Sequence, residues 1–80
     1  FKILNKGNNQ FEVSLANTSS FEDLNLDVYN MLGQRLLWKT LKNTSGFYSH
    51  IIDMSYASEG IYLVRLGDNK NSTVKRIIVE

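Results

Sequence analysis

Apolar and polar residues alternate along much of this chain with a period of two, which is the period of a β-strand. The alternation is clearest in residues 11–15 and Leu24–Tyr29, where apolar side chains fall on one face and polar ones mostly on the other. Such a pattern indicates strands with one buried face. No segment keeps a 3.6-residue apolar period over the length of a helix, so no helix is predicted.

Turn-forming Gly, Asn, Asp and Ser residues separate the extended stretches at short, regular spacing. Seven such strands with turns between them are typical of an antiparallel sandwich. We therefore predict an all-β fold, a seven-stranded antiparallel immunoglobulin-like β-sandwich. Its predicted strands are residues 1–4, 11–15, 24–29, 35–41, 47–53, 61–66 and 73–79.

The sixth strand, residues 61–66, is apolar on both faces except at Arg65, so we expect it to lie in the middle of a sheet, buried over most of its length. Gly60 marks the turn before it. Tyr62, two residues before the core position Val64, has the place of the corner tyrosine of immunoglobulin-type sandwiches, whose hydroxyl bonds back to the preceding turn. The alternative is an ordinary core tyrosine with its hydroxyl at the rim.

Composition narrows the possible functions. Eighty residues are enough for one domain, and we expect residues 1–80 to form a single one. The chain has no cysteine, which excludes a disulfide framework and cysteine metal sites. A net charge of +1 argues against nucleic acid as a main partner. No apolar run approaches the roughly 20 residues that span a bilayer, and since the chain begins with Phe1 we expect a longer parent protein.

Candidate catalytic groups are few. His50 is the only histidine, and Ser49 beside it would point to the opposite face of the same strand, so a triad with Asp53 is disfavoured. No glycine-rich phosphate loop is present either. The residues therefore predict no enzyme, and no cofactor is expected.

Two binding sites are conceivable from the residue types. Glu22, Asp23 and Asp27 could supply oxygen ligands to calcium, but they lack the spacing of a calcium loop, and a solvated loop is the preferred interpretation.

The aromatic residues Tyr29, Trp38 and Tyr48 could form an exposed platform for a sugar, although packing in the core or on a sheet face is the more common role. The platform would make the chain an adhesion or carbohydrate-binding module appended to a secreted enzyme.

Five segments, in chain order, resemble the C-terminal sorting domain of the type IX secretion system, which ends secreted proteins of Bacteroidetes. Those segments are residues 11–15, the hairpin 26–36 with its Tyr-Asn-x-x-Gly-Gln core, residues 52–55, residues 60–64 with Gly-x-Tyr-x-Val, and the basic and apolar ending 75–79. The opening stretch of residues 3–6 departs from the family in lacking proline, and Glu80 stands where a lysine is common.

The resemblance implies a folded address label that follows a cargo domain N-terminal to Phe1. It would pass through the periplasm and be recognised by the type IX secretion translocon. A cell-surface sortase would then remove it, leaving the cargo at the surface or secreted. The residues carried over for recognition are Lys75, Arg76, Ile77, Ile78 and Val79, and those carried over as the fold core of the motif are Gly33, Gly60, Tyr62 and Val64.

Overall fold

The computed structural model describes residues 1–16, 23–42, 47–68 and 70–80. Alternating side chains and intervening turns produce seven strands in that part of the chain, as predicted. The strands are β1 (Lys2–Gly7), β2 (Gln10–Leu15), β3 (Leu24–Tyr29), β4 (Arg35–Leu41), β5 (Tyr48–Asp53), β6 (Gly60–Gly67) and β7 (Ser72–Val79).

The strands form two sheets, and every pairing within them is antiparallel. The smaller sheet has the order β1-β2-β5, and the larger has the order β4-β3-β6-β7. This is an immunoglobulin-like sandwich in which the fourth strand pairs with the third, at the edge of the larger sheet. The predicted fold class is confirmed. β1 is longer than predicted because Asn5 stays in register with Phe11 and the strand continues through a bulge to Gly7.

A single apolar layer between the two sheets holds the fold together. It takes the inward side chains of alternate positions on both sheets, as the period-two pattern requires. Its members are Phe11, Val13, Leu24, Leu26, Val28, Leu41, Tyr48, Ile52, Met54, Tyr62, Val64, Leu66, Ile77 and Val79.

The sixth predicted strand, β6, lies between β3 and β7, so its place inside a sheet is confirmed. Burial over most of its length is also confirmed, since four of residues 61–66 are buried or half-buried, but its outward side is not fully covered. Ile61 is 39% exposed and Arg65 is also exposed, whereas Val64 is fully buried. The reason is that only one face of the sheet meets the other sheet, so the outward side chains of β6 face solvent even where they are apolar.

Tyr62 makes the hydrogen bond predicted for a corner tyrosine. Its ring is buried in the core, and its hydroxyl donates to the backbone oxygen of Ser58 at 2.7 Å. Gly60 lies between the two with φ of 152°, a backbone angle that residues with a Cβ rarely adopt. The hydrogen bond therefore ties the turn before β6 to the strand's first core position.

Two glycines fit the turns for different reasons. Gly33 has φ of 84° and donates its N–H to the backbone oxygen of Asn30 at 3.1 Å, which closes the β3–β4 turn. Gly67 is needed for space, because a Cβ there would collide with the backbone of Asn71 and Ser72. The β6–β7 hairpin can therefore close tightly only with glycine at its start.

The β1–β2 turn reaches across the sandwich to the end of the last strand. Asn8 and Asn9 both have positive φ, 52° and 58°, which asparagine tolerates better than most residues. The Asn9 side chain donates from Nδ2 to the backbone oxygen of Glu80 at 2.8 Å and accepts at Oδ1 from the N–H of Glu80 at 3.0 Å. Asn9 thus contacts Glu80 as a neighbouring strand would, and joins the smaller sheet to the end of β7.

Removing the Tyr62 hydroxyl should destabilise the sandwich. In Tyr62→Phe the ring remains but the backbone oxygen of Ser58 loses its donor, so we expect the free energy of unfolding to fall by about 1 kcal/mol. Tyr56→Phe, at an exposed tyrosine, is the control. Denaturant unfolding of both variants measures the difference, and equal stabilities would show that the corner bond contributes nothing.

Removing the Asn9 side chain should loosen the end of β7. Asn9→Gly keeps a residue that tolerates φ of 58° and deletes both hydrogen bonds to Glu80, so amide exchange at Glu80 should accelerate. Asn8→Gly changes the same turn but retains Asn9, and should leave that exchange rate unchanged. Hydrogen exchange followed by NMR distinguishes them. Indistinguishable rates at Glu80 in the two variants would contradict the role given to Asn9.

Candidate recognition strand

The segment carried over for recognition lies in β7, the last strand of the larger sheet. β7 pairs along its full length with β6, from Ser72 opposite Gly67 to Val79 opposite Gly60. Its other side has no strand partner in the described sheet. An edge strand of eight residues thus presents backbone N–H and C=O groups with which a further strand could pair.

The five residues expected to act in recognition divide between two environments. Ile77 and Val79 are buried in the core, opposite Tyr62 and Gly60 on β6. Their side chains hold β7 on the sandwich and are not accessible in the folded chain. Arg76 and Ile78 alternate with them and point outward, where Ile78 is 55% exposed. The period of the strand therefore separates an anchoring pair from an accessible pair.

Lys75 lies on the inward side of the strand by alternation and yet is exposed. Its Nζ lies 5.6 Å from the centroid of the Phe1 ring, within the range of a cation–π contact. A shallow groove follows β7 toward its end, with Ile3, Asn5 and Phe11 of the smaller sheet on the opposite wall. The basic and apolar ending is thus flanked by the first strand of the chain.

The hairpin before β7 is fixed by Asp68. Its Oδ1 accepts the backbone N–H of Lys70 at 2.8 Å and of Asn71 at 2.7 Å, and its own N–H donates to the Asn71 oxygen at 2.9 Å. These hydrogen bonds favour the ionised carboxylate and lower the pKa of Asp68. The start of β7 is therefore set in register by a local network, while Asn9 holds its end.

On the outer face of the larger sheet lies the buried carboxylate of Asp27. Arg35 approaches it with Nη1 at 3.5 Å from Oδ1, and Arg65 with Nη1 at 3.9 Å from Oδ2. The guanidinium of Arg35 also lies over the Trp38 ring, 4.5 Å from its centroid. Sequence reasoning did not identify this cluster, because its members come together only through the strand order β4-β3-β6.

The catalytic alternative finds no support in the geometry. His50 pairs with Val13 on the inward side of the smaller sheet, while Ser49 beside it is exposed on the outward side. Burial lowers the pKa of His50, and the positive charge of Lys39 lowers it further. Asp53 is engaged at Oδ1 by Ser55 and Gln10, which lowers its pKa.

Neither the calcium candidates nor the sugar candidates form a site in the described residues. Glu22 lies outside the described residues, Asp23 pairs with Lys42 at 2.7 Å, and no group of three His, Asp or Glu residues suited to a metal occurs in the described ranges. Tyr48 is buried between the sheets while Trp38 is exposed on the outer face, so the three aromatic residues do not form one platform.

The described part of the chain contains no helix able to cross a membrane.

Comparisons with known proteins identify the family to which the chain belongs. No curated protein matches the chain. The sequence model of the family described as the secretion system C-terminal sorting domain matches residues 5–80, which include every strand from β2 to β7. The matched range contains the β3–β4 hairpin, the Tyr62 corner and the edge strand β7. The chain therefore belongs to the family of secretion system C-terminal sorting domains, the sorting signals of type IX secretion.

Proposed function

We propose that residues 1–80 form a single C-terminal sorting domain, and that the type IX machinery recognises the outward side of β7 on the folded sandwich. The observation that carries the proposal is the division within that strand. Ile77 and Val79 are buried and fix the strand, while Arg76 and Ile78 remain exposed beside a free strand edge. A receptor can then bind a rigid pattern without unfolding the domain.

The mode of recognition that fits an edge strand is strand addition. A receptor segment pairs with the free backbone groups of β7, which supplies affinity, and contacts its alternate side chains, which supplies specificity. Arg76 offers a planar donor group suited to a carboxylate, and Ile78 offers an apolar side chain suited to a pocket. Lys75 adds a second positive charge at the same edge.

The remaining steps of the route belong to the same proposal. A cargo domain precedes Phe1, and the sorting domain carries it through the periplasm to the outer-membrane translocon. A cell-surface sortase then removes the domain, and the cargo stays at the surface or is released. This role needs only a stable, recognisable surface, so the domain itself performs no catalysis.

Export of a reporter tests the proposal. With residues 1–80 fused behind a reporter in a bacterium competent for type IX secretion, deletion of residues 75–80 should abolish surface delivery. Ile78→Ser should reduce the exported fraction at least tenfold, because burying an isoleucine in a receptor pocket stabilises by roughly 1.5–3 kcal/mol. Loss of its cross-strand contact with Ile61 should lower the free energy of unfolding by less than about 1 kcal/mol.

The control is Ile51→Ser, at a residue that is 53% exposed on the outward side of the smaller sheet. It removes a comparable exposed isoleucine far from β7, so export should be unchanged. If Ile78→Ser exports as well as the parent, or if Ile51→Ser loses as much, the assignment of recognition to β7 is wrong.

A further inference from the structure

All three arginines of the chain lie on one surface, the outer face of the larger sheet. Arg65 and Arg76 lie at cross-strand positions opposite Val74 and Leu63. Arg35 is on β4, the other neighbour of β3, and pairs with Tyr29 of β3. The arginines therefore come from three different strands and meet on one face only because of the strand order β4-β3-β6-β7.

The same face carries large apolar side chains that the fold leaves uncovered. Trp38 is 63% exposed, Val74 is 53% exposed, and Ile61 lies opposite Ile78 across the β6–β7 pair. One row across the sheet runs through Trp38, Asp27, Arg65 and Val74. In this row an aspartate and an arginine lie between two exposed apolar side chains.

Asp27 keeps this surface ordered. Its buried carboxylate contacts Arg35 and Arg65, and Arg35 in turn stacks on Trp38. Asp68 and Lys39 line the same hollow and carry opposite charges, so the three arginines outweigh Asp27 and the face keeps a net positive charge. Ion-paired and stacked side chains also lose little freedom on binding, which lowers the entropic cost of forming an interface.

The outer face of the smaller sheet differs from that of the larger sheet in its charged residues. The outward side of the smaller sheet also has exposed apolar residues, Leu4 and Ile51, but they lie beside the carboxylates of Glu12 and Asp53, and that sheet contains no arginine. Arginine and tryptophan are the residue types most enriched at the energetic centres of protein interfaces. The difference in residue composition between the two outer faces favours that of the larger sheet as a binding surface.

We propose that the outer face of the larger sheet, defined by Arg35, Trp38, Ile61, Arg65, Arg76 and Ile78, is a docking surface for an acidic and partly apolar protein surface of the transport machinery. The inference rests on the proposed function and extends the recognised area from β7 across the sheet to β4. Trp38 lies three strands from β7, which is about 14 Å at the usual spacing between strands.

The positive charge of the outer face of the larger sheet indicates which kind of molecule binds there. A second copy of the chain bound face to face would bring together two faces that both carry a net positive charge, which is unfavourable across an interface. A receptor surface with carboxylates pairs with them instead. Free carboxylates also match the planar guanidinium groups in geometry.

Two variants on β4 test the docking surface at a distance from β7. Trp38→Ser should reduce the exported fraction of the reporter fusion more than tenfold, the effect typical of a tryptophan buried in an interface, and Arg35→Gln should reduce it several-fold. Arg35→Gln keeps the Arg65 contact to Asp27. The control is Leu4→Ser, at a residue 51% exposed on the other sheet, which should export as the parent does.

Denaturant unfolding and analytical ultracentrifugation accompany the export assay. Reduced export with unchanged stability and a monomeric parent supports the docking surface. If Trp38→Ser proves unstable, Arg35→Gln alone decides, and its unchanged export overturns the inference. A dimer that dissociates in either variant while export is unchanged identifies a second copy as the occupant and also overturns it.

The export assays distinguish failure of the docking surface from failure of the proposed recognition of β7. Normal export of both β4 variants together with loss in Ile78→Ser confines recognition to β7, so the docking surface is wrong and the proposed function stands. Normal export of Ile78→Ser removes the proposed recognition by β7 whatever the β4 variants do.

Discussion

The structure depends on the packing of two small sheets across one apolar layer. Every strand of the larger sheet contributes to that layer, and so do β2 and β5 of the smaller one. A chain of this length buries only about 60% of its unfolded surface, so the layer has little stability to spare. Within the strands, exposed apolar residues such as Trp38, Val74 and Ile78 occupy positions that alternation directs outward, whereas Met31, Leu32 and Tyr56 are exposed in turns.

That alternation gives the last strand its two roles. Ile77 and Val79 complete the core, and Arg76 and Ile78 between them stand in solvent. Asn9 secures the strand's end from the smaller sheet, and the Asp68 turn secures its beginning. The basic and apolar ending of the chain is thus part structural anchor and part accessible surface, as the proposed recognition of β7 requires.

Local patterns predicted much of this fold. Period-two alternation located all seven strands, and the turn ending at Gly60 made Tyr62 a candidate corner tyrosine, which its hydrogen bond to Ser58 confirms. Properties that depend on strand order escaped prediction. The apolar outward side of β6 gave the same pattern as a fully buried strand, because alternation does not show whether a second layer covers a face. The sequence alone does not predict that Arg35 and Arg65 both contact Asp27, because these contacts depend on the strand order β4-β3-β6. The contact between Asn9 and Glu80 joins residues at opposite ends of the chain, although two adjacent asparagines in a turn do suggest positive φ.

If the type IX machinery recognises β7 on the folded sandwich, as proposed, the signal is a folded surface and not a linear sequence. Val64→Ala tests it most directly, because Val64 is fully buried and its truncation changes no exposed residue while destabilising the core by about 2 kcal/mol. Export of the reporter should be compared with the folded fraction of the domain over a series of temperatures. We expect export to fall with the folded fraction. Export equal to that of the parent at a temperature where the variant is mostly unfolded would contradict the claim.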